Sequence, residues 1–356
     1  MLSRFGGHQT QGGPWVSDCP PGYLGSMTDL SLNGVHHISC ITGDAPGNVE
    51  FYAGLLGMRL VKKTVNQDDP SVYHLFYGDE KGTPGFDLTF FEYPGTRDGR
   101  AGAGMIHRIL WRVGSSESLD YWAERLEAGG VETRRSSDEE AGFFGVGPTG
   151  EGDTLLFQDP EGLTHEILIY EGPDEPLVPA HVEIPPEHAI QGFHGARAFS
   201  GNREITEQVL GLVLGFTDEG EGKWHLAGEA GEDFEARNGF YFLDEAPEER
   251  AVPGAGTVHH IAWASPIDQH PDWREKVAAT GLYITPVIDR FYFKALYFRE
   301  PGGVLFELAT IGPGFATDED QEHLGERLSL PPDFESVREQ VEPNLRPIPD
   351  ITQWRP

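Results

Sequence analysis

Hydrophobic and polar residues follow a repeating order along this chain. Four short stretches show the alternation of β-strands and carry a histidine at the same place in each. Each is followed by apolar residues at helical spacing, by a glycine typical of a helix end, and by two or three more strand-like runs. Each unit therefore predicts the order β-α-β-β-β. The opening strands are predicted at residues 34–38, 105–109, 192–196 and 257–261.

The four units must pair, because one β-α-β-β-β unit cannot bury the face of its own sheet. We predict an α+β fold in which four βαβββ modules pair into two half-open barrels, with a ligand on a concave face. The predicted divisions are a disordered N-terminal tail (1–31), modules 1 and 2 (32–170), an acidic proline-rich linker (171–187), modules 3 and 4 (188–314) and a C-terminal arm (315–356).

Charge narrows the range of partners. The chain has 356 residues, of which 58 are acidic and 26 basic, so its net charge is -32. Such a surface repels phosphate backbones and anionic lipid, and we expect no nucleic acid and no membrane among its partners. A lysine-poor acidic surface is typical of proteins from salt-loving microbes, and we favour that origin over an ordinary acidic protein.

The cysteine content and the N-terminus bear on the compartment. Only two cysteines occur, Cys19 and Cys40, which excludes a disulfide scaffold and a cysteine-rich metal site. The first residues lack the continuous apolar run of a signal peptide. We therefore predict a cytoplasmic protein, and we leave open whether it forms a homo-oligomer.

The first histidine of each unit is more consistent with architecture than with chemistry. Successive side chains on a strand point to opposite faces, so His36 is expected on the more apolar face, with Ile38 and Cys40. Because this histidine recurs in all four units, we interpret it as a structural or supporting residue whose polar atoms are satisfied. The four residues are His36, His107, His194 and His259.

The next position is histidine only in modules 1 and 4. His37 and His260 are predicted on the less apolar face, and alternation in the last strand of module 4 turns Glu307 away from its apolar neighbours. Two neutral imidazoles and one carboxylate with open positions suit non-haem Fe(II). The competing interpretation is three buried polar residues in strands, and we favour the metal.

The three ligands meet only if modules 1 and 4 share a barrel. Pairing module 1 with 2 and module 3 with 4 would give His37 with Glu166, and His260 with Glu307, each set one ligand short. We therefore predict that modules 2 and 3 form a metal-free partner barrel. In that barrel Glu166 is a degenerate copy of the carboxylate position.

Three segments resemble the hydroquinone-type ring-cleaving dioxygenases of the vicinal-oxygen-chelate superfamily, which also contains glyoxalases and extradiol dioxygenases. The segments are residues 34–38, 73–85 and 287–307, within a similarity that runs from about 32 to 320. The resemblance implies metal ligands at His37, His260 and Glu307, and an active-site tyrosine at Tyr297. It also implies Fe(II), or alternatively Mn(II), as cofactor, with a small aromatic substrate and O2.

The implied activity is that of a non-haem Fe(II)-dependent extradiol-type dioxygenase acting on a hydroquinone or catechol-like ring. Such chemistry needs an acid or base beside the metal, and His259, Tyr297 and His36 are the candidate catalytic residues. The resemblance does not carry a substrate arginine over to this chain, because the segment around Arg290 differs in length from that of the characterised hydroquinone cleavers.

Two other classes stay open on the same scaffold. A glyoxalase-like lyase or isomerase uses its metal as a Lewis acid and usually needs a fourth protein ligand. Our alignment puts Phe90 at that fourth position, which leaves the metal face open and favours oxygen chemistry. A metal-free small-molecule-binding protein would not need the triad. Metal content distinguishes the metal-free binding protein from the two enzyme classes. Oxygen uptake with a hydroquinone indicates the dioxygenase, and conversion of a hemithioacetal without oxygen uptake indicates the glyoxalase-like enzyme.

Overall fold

The computed structural model describes residues 30–136, 152–232 and 234–356. The predicted N-terminal tail, with Cys19, lies outside these residues except for its last two positions. Within the described ranges, sixteen strands follow the order β-α-β-β-β four times. The predicted module order is therefore confirmed.

Modules 1 and 2 form the N-terminal half of the repeat array. Module 1 consists of β1 (Val35–Thr42), α1 (Ala45–Val49) continued by a π-helical turn (Glu50–Leu55), β2 (Arg59–Asn66), β3 (Asp69–Gly78) and β4 (Asp87–Glu92). Module 2 consists of β5 (Met105–Val113), α2 (Ser116–Ala128), β6 (Thr133–Arg135), β7 (Thr154–Gln158) and β8 (Thr164–Ile169).

Modules 3 and 4 repeat the same order. Module 3 consists of β9 (Phe193–Phe199), α3 (Arg203–Gln208) continued by a π-helical turn (Val209–Leu214), β10 (Thr217–Gly220), β11 (Lys223–Leu226) and β12 (Gly239–Asp244). Module 4 consists of β13 (Thr257–Ser265), α4 (His270–Ala279), β14 (Ile288–Asp289), β15 (Lys294–Arg299) and β16 (Leu305–Thr310).

The strands form two eight-stranded sheets, each made of two modules. The first has the order β14-β15-β16-β13-β1-β4-β3-β2, and the second β10-β11-β12-β9-β5-β8-β7-β6. Modules 4 and 1 join through the antiparallel pair β13–β1, and modules 3 and 2 through β9–β5. The fold is thus α+β with modules paired into two half-open barrels, and the pairing of modules 1 and 4 is confirmed. We call them the 1–4 barrel and the 2–3 barrel.

The helices pack through one apolar side onto the sheets. In α2 the buried residues Leu119, Trp122 and Leu126 recur at helical spacing, and Ser115 caps the helix by accepting from the backbone N–H of Ser118. The chain leaves α1 through Gly57, whose φ is 70° and whose added Cβ would meet Ile184 at 2.3 Å. Only glycine fits that conformation and that space without strain.

The C-terminal arm packs against module 1. It contains the short helices α5 (Pro332–Glu335) and α6 (Arg338–Val341) and several single 3₁₀ turns. The buried amine of Lys62 donates to Asp318 at 2.8 Å and also contacts Glu319. Arg355 at the chain end binds both oxygens of Glu80, at 2.5 and 2.6 Å. Charge pairs therefore hold the two ends of the arm.

No helix within the described ranges is long and apolar enough to cross a membrane.

Each module's opening strand carries a β-bulge at its histidine. In the β1–β13 ladder Val35 pairs with Trp263 and His37 with Ala262, so His36 is the extra residue. On the opposite strand His259 is the extra residue, because Ser39 pairs with His260 and Cys40 with Val258. His107 and His194 take the same places in the β5–β9 ladder. The recurring histidine therefore marks a local kink that every module shares.

Candidate metal centre

Three side chains from different strands converge inside the 1–4 barrel. Nε2 of His37 on β1 lies 3.1 Å from Nε2 of His260 on β13. Oε2 of Glu307 on β16 lies 2.8 Å from the His260 nitrogen and 3.2 Å from the His37 nitrogen. All three residues are buried, Glu307 completely. The structure thus brings together the three residues that the sequence selected.

Within the described ranges, the buried carboxylate of Glu307 lacks a charge-neutralising partner. Among the described residues, none gives either oxygen of Glu307 a hydrogen bond of good geometry. Burial alone would raise the pKa of Glu307, but the neighbouring His37 and His260 hold it well below its usual range. The group is therefore an ionised, fully buried carboxylate whose oxygens point at two imidazole nitrogens. A buried charge of this kind is stable only when paired or bound to a metal.

The donor atoms fit a divalent cation. Metal–ligand bonds of about 2.0–2.2 Å at near-right angles put neighbouring donor atoms about 3 Å apart. The three observed separations of 2.8, 3.1 and 3.2 Å match that spacing. The side chains that hold the triad come from three adjacent strands, so the sheet itself fixes their separation.

The predicted strict alternation is wrong at the two paired histidines. Because each bulge adds a residue, His36 and His259 turn toward the ligand imidazoles rather than away from them. Nδ1 of His36 lies 3.0 Å from Nδ1 of His37, and Nδ1 of His259 lies 2.7 Å from Nδ1 of His260. Burial and the adjacent His37 lower the pKa of His36 to about 3, so this imidazole is neutral.

The other nitrogen of each supporting histidine has a different environment. Nε2 of His36 lies 3.2 Å from the carbonyl oxygen of Thr310, inside the barrel wall. His259 is exposed and lines the larger of the two cavities next to the triad. The two supporting histidines therefore make equivalent contacts to the triad, but of the two only His259 lines a cavity next to it.

Two cavities lead to the triad. An inner cavity of 40 Å³ contains His37 and His260 in its wall, together with Phe91, Phe293 and Tyr297. An outer cavity of 440 Å³ shares His260, Phe91 and Tyr297 with the inner one. It extends to the start of β5, in the 2–3 barrel. Aromatic rings thus wall the space beside the triad, and the shared wall residues place the two cavities side by side.

Tyr297, the predicted active-site tyrosine, lies in the wall between the cavities. Its ring centroid is 5.6 Å from that of His260. Burial, reinforced by the charge of Glu307, raises the pKa of Tyr297 far above its usual value. The phenol therefore stays protonated and can act as a hydrogen-bond donor.

Arg290 is a site residue that the sequence analysis did not select. Its guanidinium lies 5.8 Å from the Tyr297 ring and lines both cavities. Nη2 is 3.4 Å from Oδ2 of Asp68, an exposed partner across the approach. The next residue, Phe291, has a φ of 74°, a left-handed conformation that costs energy for a side chain of this size. No regular periodicity covers this loop, so only the fold reveals where Arg290 lies.

The predicted fourth position of the site needs correction. Parallel pairing matches Ile38 with Leu88 in module 1 and Ile261 with Phe306 in module 4. The next residues along are Thr89 and Glu307, so the counterpart of Glu307 is Thr89 rather than Phe90. Phe90 points into the core.

The Thr89 hydroxyl is already engaged. It lies 2.7 Å from the hydroxyl of Ser39 and 3.1 Å from Nε2 of His74. Asp87, at the start of the same strand, is a further buried carboxylate near His36 and His37. Burial raises its pKa to about 8. A protonated carboxyl and an occupied hydroxyl are weak competitors for a cation, so the main donor set remains the triad.

The 2–3 barrel carries an ion pair where the 1–4 barrel carries the triad. Arg108 takes the place of His37, and its Nη1 donates to Oε2 of Glu166 at 2.8 Å with both residues fully buried. Gly195 takes the place of His260, and a Cβ there would meet the carbonyl oxygen of Phe240 at 1.8 Å. Glu166 is therefore held by a guanidinium inside this barrel, and the second imidazole position is sterically closed.

Comparison with known proteins gives three consistent matches. Residues 34–167 match the model of the Glyoxalase/Bleomycin resistance protein/Dioxygenase superfamily. The "Putative ring-cleaving dioxygenase MhqA" of Bacillus subtilis is 39% identical over 329 residues, which is 90% of this chain and 100% of that protein. The "Chlorohydroquinone/hydroquinone 1,2-dioxygenase" of Sphingobium indicum is 32% identical over 320 residues, covering 87% of this chain and 95% of that protein.

Solved structures agree with these matches. A crystal structure from Bacillus subtilis, described as a "putative dioxygenase", is 39% identical and covers 90% of this chain and 98% of its own, with a TM-score of 0.78. A glyoxalase I mutant from Zea mays is 17% identical and covers 81% of this chain and 96% of its own, with a TM-score of 0.54. At that identity the maize enzyme shares the fold alone.

Proposed function

The chain belongs to the glyoxalase/bleomycin resistance protein/dioxygenase superfamily, and from this premise we propose that it is a metal-dependent dioxygenase that cleaves the ring of a hydroquinone or catechol-like aromatic with O2. The relatives named above support the reaction class. The single observation that carries the proposal is the convergence of two imidazole nitrogens and one ionised, hydrogen-bond-poor carboxylate inside the 1–4 barrel.

In this proposal His37, His260 and Glu307 hold Fe(II), with Mn(II) as the alternative. Two histidines and one carboxylate on one side of an ion leave positions open for exogenous ligands, as in non-haem Fe(II) oxygenases. When bound, the cation supplies a Lewis acid that favours ionisation of a coordinated phenol and a redox centre at which O2 can react. The barrel's contribution is a fixed donor spacing and a closed, aromatic surround.

His36 and His259 position the two ligand imidazoles. If Nε2 of each ligand faces the cation, its Nδ1 carries the proton and donates to Nδ1 of the neighbouring histidine. His36 can then donate from Nε2 to the Thr310 carbonyl, which fixes its tautomer as well. Such outer contacts orient ligand rings and raise their basicity. His259 lines the outer cavity, where its Nε2 can exchange a proton with a bound ring.

Tyr297 and Arg290 bind and orient the aromatic substrate. Both line the inner and the outer cavity, so both lie within reach of a ring bound beside the triad. The protonated phenol of Tyr297 can donate a hydrogen bond to a substrate oxygen, and the Arg290 guanidinium favours the anionic form of a phenol. Phe91 and Phe293 face the same space and limit the entry of water.

The test combines metal content with oxygen uptake. Protein purified without oxygen should contain close to one Fe or Mn per chain, and adding hydroquinone or catechol should consume one O2 per ring opened. A hemithioacetal should remain unconverted. Conversion of the hemithioacetal without oxygen uptake would replace the dioxygenase by a glyoxalase-like isomerase, and protein without any metal affinity would refute both.

His260→Ala is the matched variant for this test. Losing one of three ligands should remove the metal and lower kcat by at least roughly 10³, since a catalytic metal contributes several kcal/mol to the barrier. The control is His323→Ala, an exposed histidine of the C-terminal arm. Full metal occupancy in His260→Ala would contradict the ligand assignment.

A further inference from the structure

The loop between β14 and β15, residues 290–293, carries side chains to the space beside the triad. Arg290 and Tyr292 line the inner cavity. Phe293 lines it too, and its ring centroid lies 5.2 Å from that of His37. The turn is tight, because the backbone N–H of Arg290 donates to the carbonyl oxygen of Phe293 at 2.9 Å. The left-handed φ of 74° at Phe291 persists only where surrounding contacts hold the loop.

A charge network from β2 and the C-terminal arm holds this loop at Tyr292. The Tyr292 hydroxyl donates to Oδ2 of Asp318 at 3.1 Å, and the buried amine of Lys62 donates to the other oxygen of Asp318 at 2.8 Å. The same amine lies 4.8 Å from the centroid of the Tyr292 ring. Burial and the charge of Asp318 raise the pKa of Tyr292 far above its usual value, so the phenol stays protonated. Asp318 thus receives one hydrogen bond from a barrel strand and one from the loop.

The other polar contacts of the loop involve its backbone or an exposed partner. The side chain of Gln67 donates to the carbonyl oxygen of Arg290 at 2.9 Å. The backbone N–H of Gly314 donates to the carbonyl oxygen of Tyr292 at 2.9 Å. The guanidinium of Arg290 pairs with Asp68, which is exposed. Within the described ranges, Tyr292 is therefore the one side chain of the loop that is hydrogen-bonded to the C-terminal arm.

We propose that Tyr292, held by Asp318 of the C-terminal arm, is a positioning residue that keeps the Arg290 guanidinium beside the triad. This inference rests on the proposed function and gives the arm a part in substrate binding. The action is indirect, because the Tyr292 hydroxyl is engaged by the arm. Without that bond the strained turn populates other conformations, and a substrate then binds only the fraction of molecules in which Arg290 is in place.

The test is Tyr292→Phe, which removes the hydroxyl and keeps the ring that packs on Phe315. The probe is 4-nitrocatechol, titrated without oxygen into protein loaded with Mn(II), so that no turnover occurs. Its Kd should rise about tenfold, as expected when one hydrogen bond to a charged group is lost. The absorption band of the anionic ligand should also weaken, because Arg290 then stabilises the anion less. Metal content should stay unchanged, since the triad comes from three strands of the sheet.

Tyr77→Phe is the matched control for this variant. The Tyr77 hydroxyl is also buried and donates to Asn48 at 2.8 Å, but it lies between β3 and α1 rather than beside the cavities. Urea unfolding should show that this variant loses stability as Tyr292→Phe does. The Kd of 4-nitrocatechol and its bound spectrum should nevertheless equal those of the original protein.

Two further variants show whether the effect passes through the proposed contacts. Asp318→Ala removes the other end of the same hydrogen bond, so it should raise the Kd as much as Tyr292→Phe, and the double variant should equal either single one. In a protein that already carries Arg290→Ala, Tyr292→Phe should have no additional effect on the Kd. Additive losses in either combination would contradict the proposal.

The outcomes separate this inference from the proposed function. An unchanged Kd in Tyr292→Phe, or an equal rise in Tyr77→Phe, refutes the positioning role while oxygen uptake by the original protein still supports the dioxygenase. Weaker binding confined to Tyr292→Phe and Asp318→Ala, in a protein that consumes no oxygen with any ring, supports the positioning role and refutes the dioxygenase. Metal-loaded original protein that does not bind 4-nitrocatechol refutes both.

Discussion

At the scale of single residues, each module has a histidine on a β-bulge in its opening strand. What that histidine contacts depends on the residue that follows it. His36 and His259 contact the triad through Nδ1. His107 occupies the same bulge in the 2–3 barrel, but its Nε2 contacts Oδ2 of Asp244 at 2.7 Å. In the 1–4 barrel the bulge places a supporting imidazole beside each ligand imidazole. The 2–3 barrel has the same bulges but no imidazole at the ligand positions.

His36→Ala should weaken metal affinity about 10- to 100-fold, because a ligand imidazole loses the partner that fixes its orientation. The measurement is competition with a chelator followed by elemental analysis. His107→Ala is the control, since it changes the same bulge position in the barrel without the triad and should leave metal affinity unchanged. Equal losses in both variants would mean that the histidines act only through the fold.

At the scale of elements, the two barrels differ in the groups that face their buried glutamate. Each buries one glutamate at the same place in a parallel strand pair. In the 1–4 barrel two imidazoles face the carboxylate, and in the 2–3 barrel the guanidinium of Arg108 pairs with Glu166. The buried carboxylate therefore has a protein cation in one barrel and a proposed metal cation in the other.

Arg108→Ala should destabilise the fold by about 3–5 kcal/mol, because it leaves Glu166 as an uncompensated buried charge. The double variant Arg108→Met with Glu166→Leu should recover most of that loss, since apolar residues of similar size can replace a buried ion pair. Urea unfolding measures both, and the metal content of both should equal that of the original protein. A loss below 1 kcal/mol in the single variant would show that the pair is not desolvated.

At the scale of the whole molecule, short contacts between the module connectors bring the barrels together. Arg100 and Val252 exchange backbone hydrogen bonds at 2.7 and 2.8 Å, and the C-terminal arm covers module 1. The whole chain carries a net charge of -32, so repulsion between its carboxylates opposes the compact state. We propose that the protein is adapted to a high salt concentration.

Raising KCl from 0.1 to 2 M should raise the Tm, because the Debye length falls from about 10 Å to below about 3 Å and repulsion between surface carboxylates is screened. Thermal unfolding followed by circular dichroism measures this. Replacing the exposed Glu248 and Glu249 by lysine makes the net charge less negative and should reduce the salt dependence. A Tm that is flat or falls with KCl would contradict the adaptation.

The sequence alone determined the module order, the pairing of modules 1 and 4, and the identity of His37, His260 and Glu307 as residues that meet. These follow from periodicity and from the number of compatible donors, both of which are local properties of the chain. The tertiary structure decided the rest. A bulge shifts alternation by one residue without a clear sequence signal, so it turned His36 and His259 toward the ligands, and parallel register identified Thr89 rather than Phe90. The place of Arg290 beside the triad depends on a loop, which no periodicity encodes.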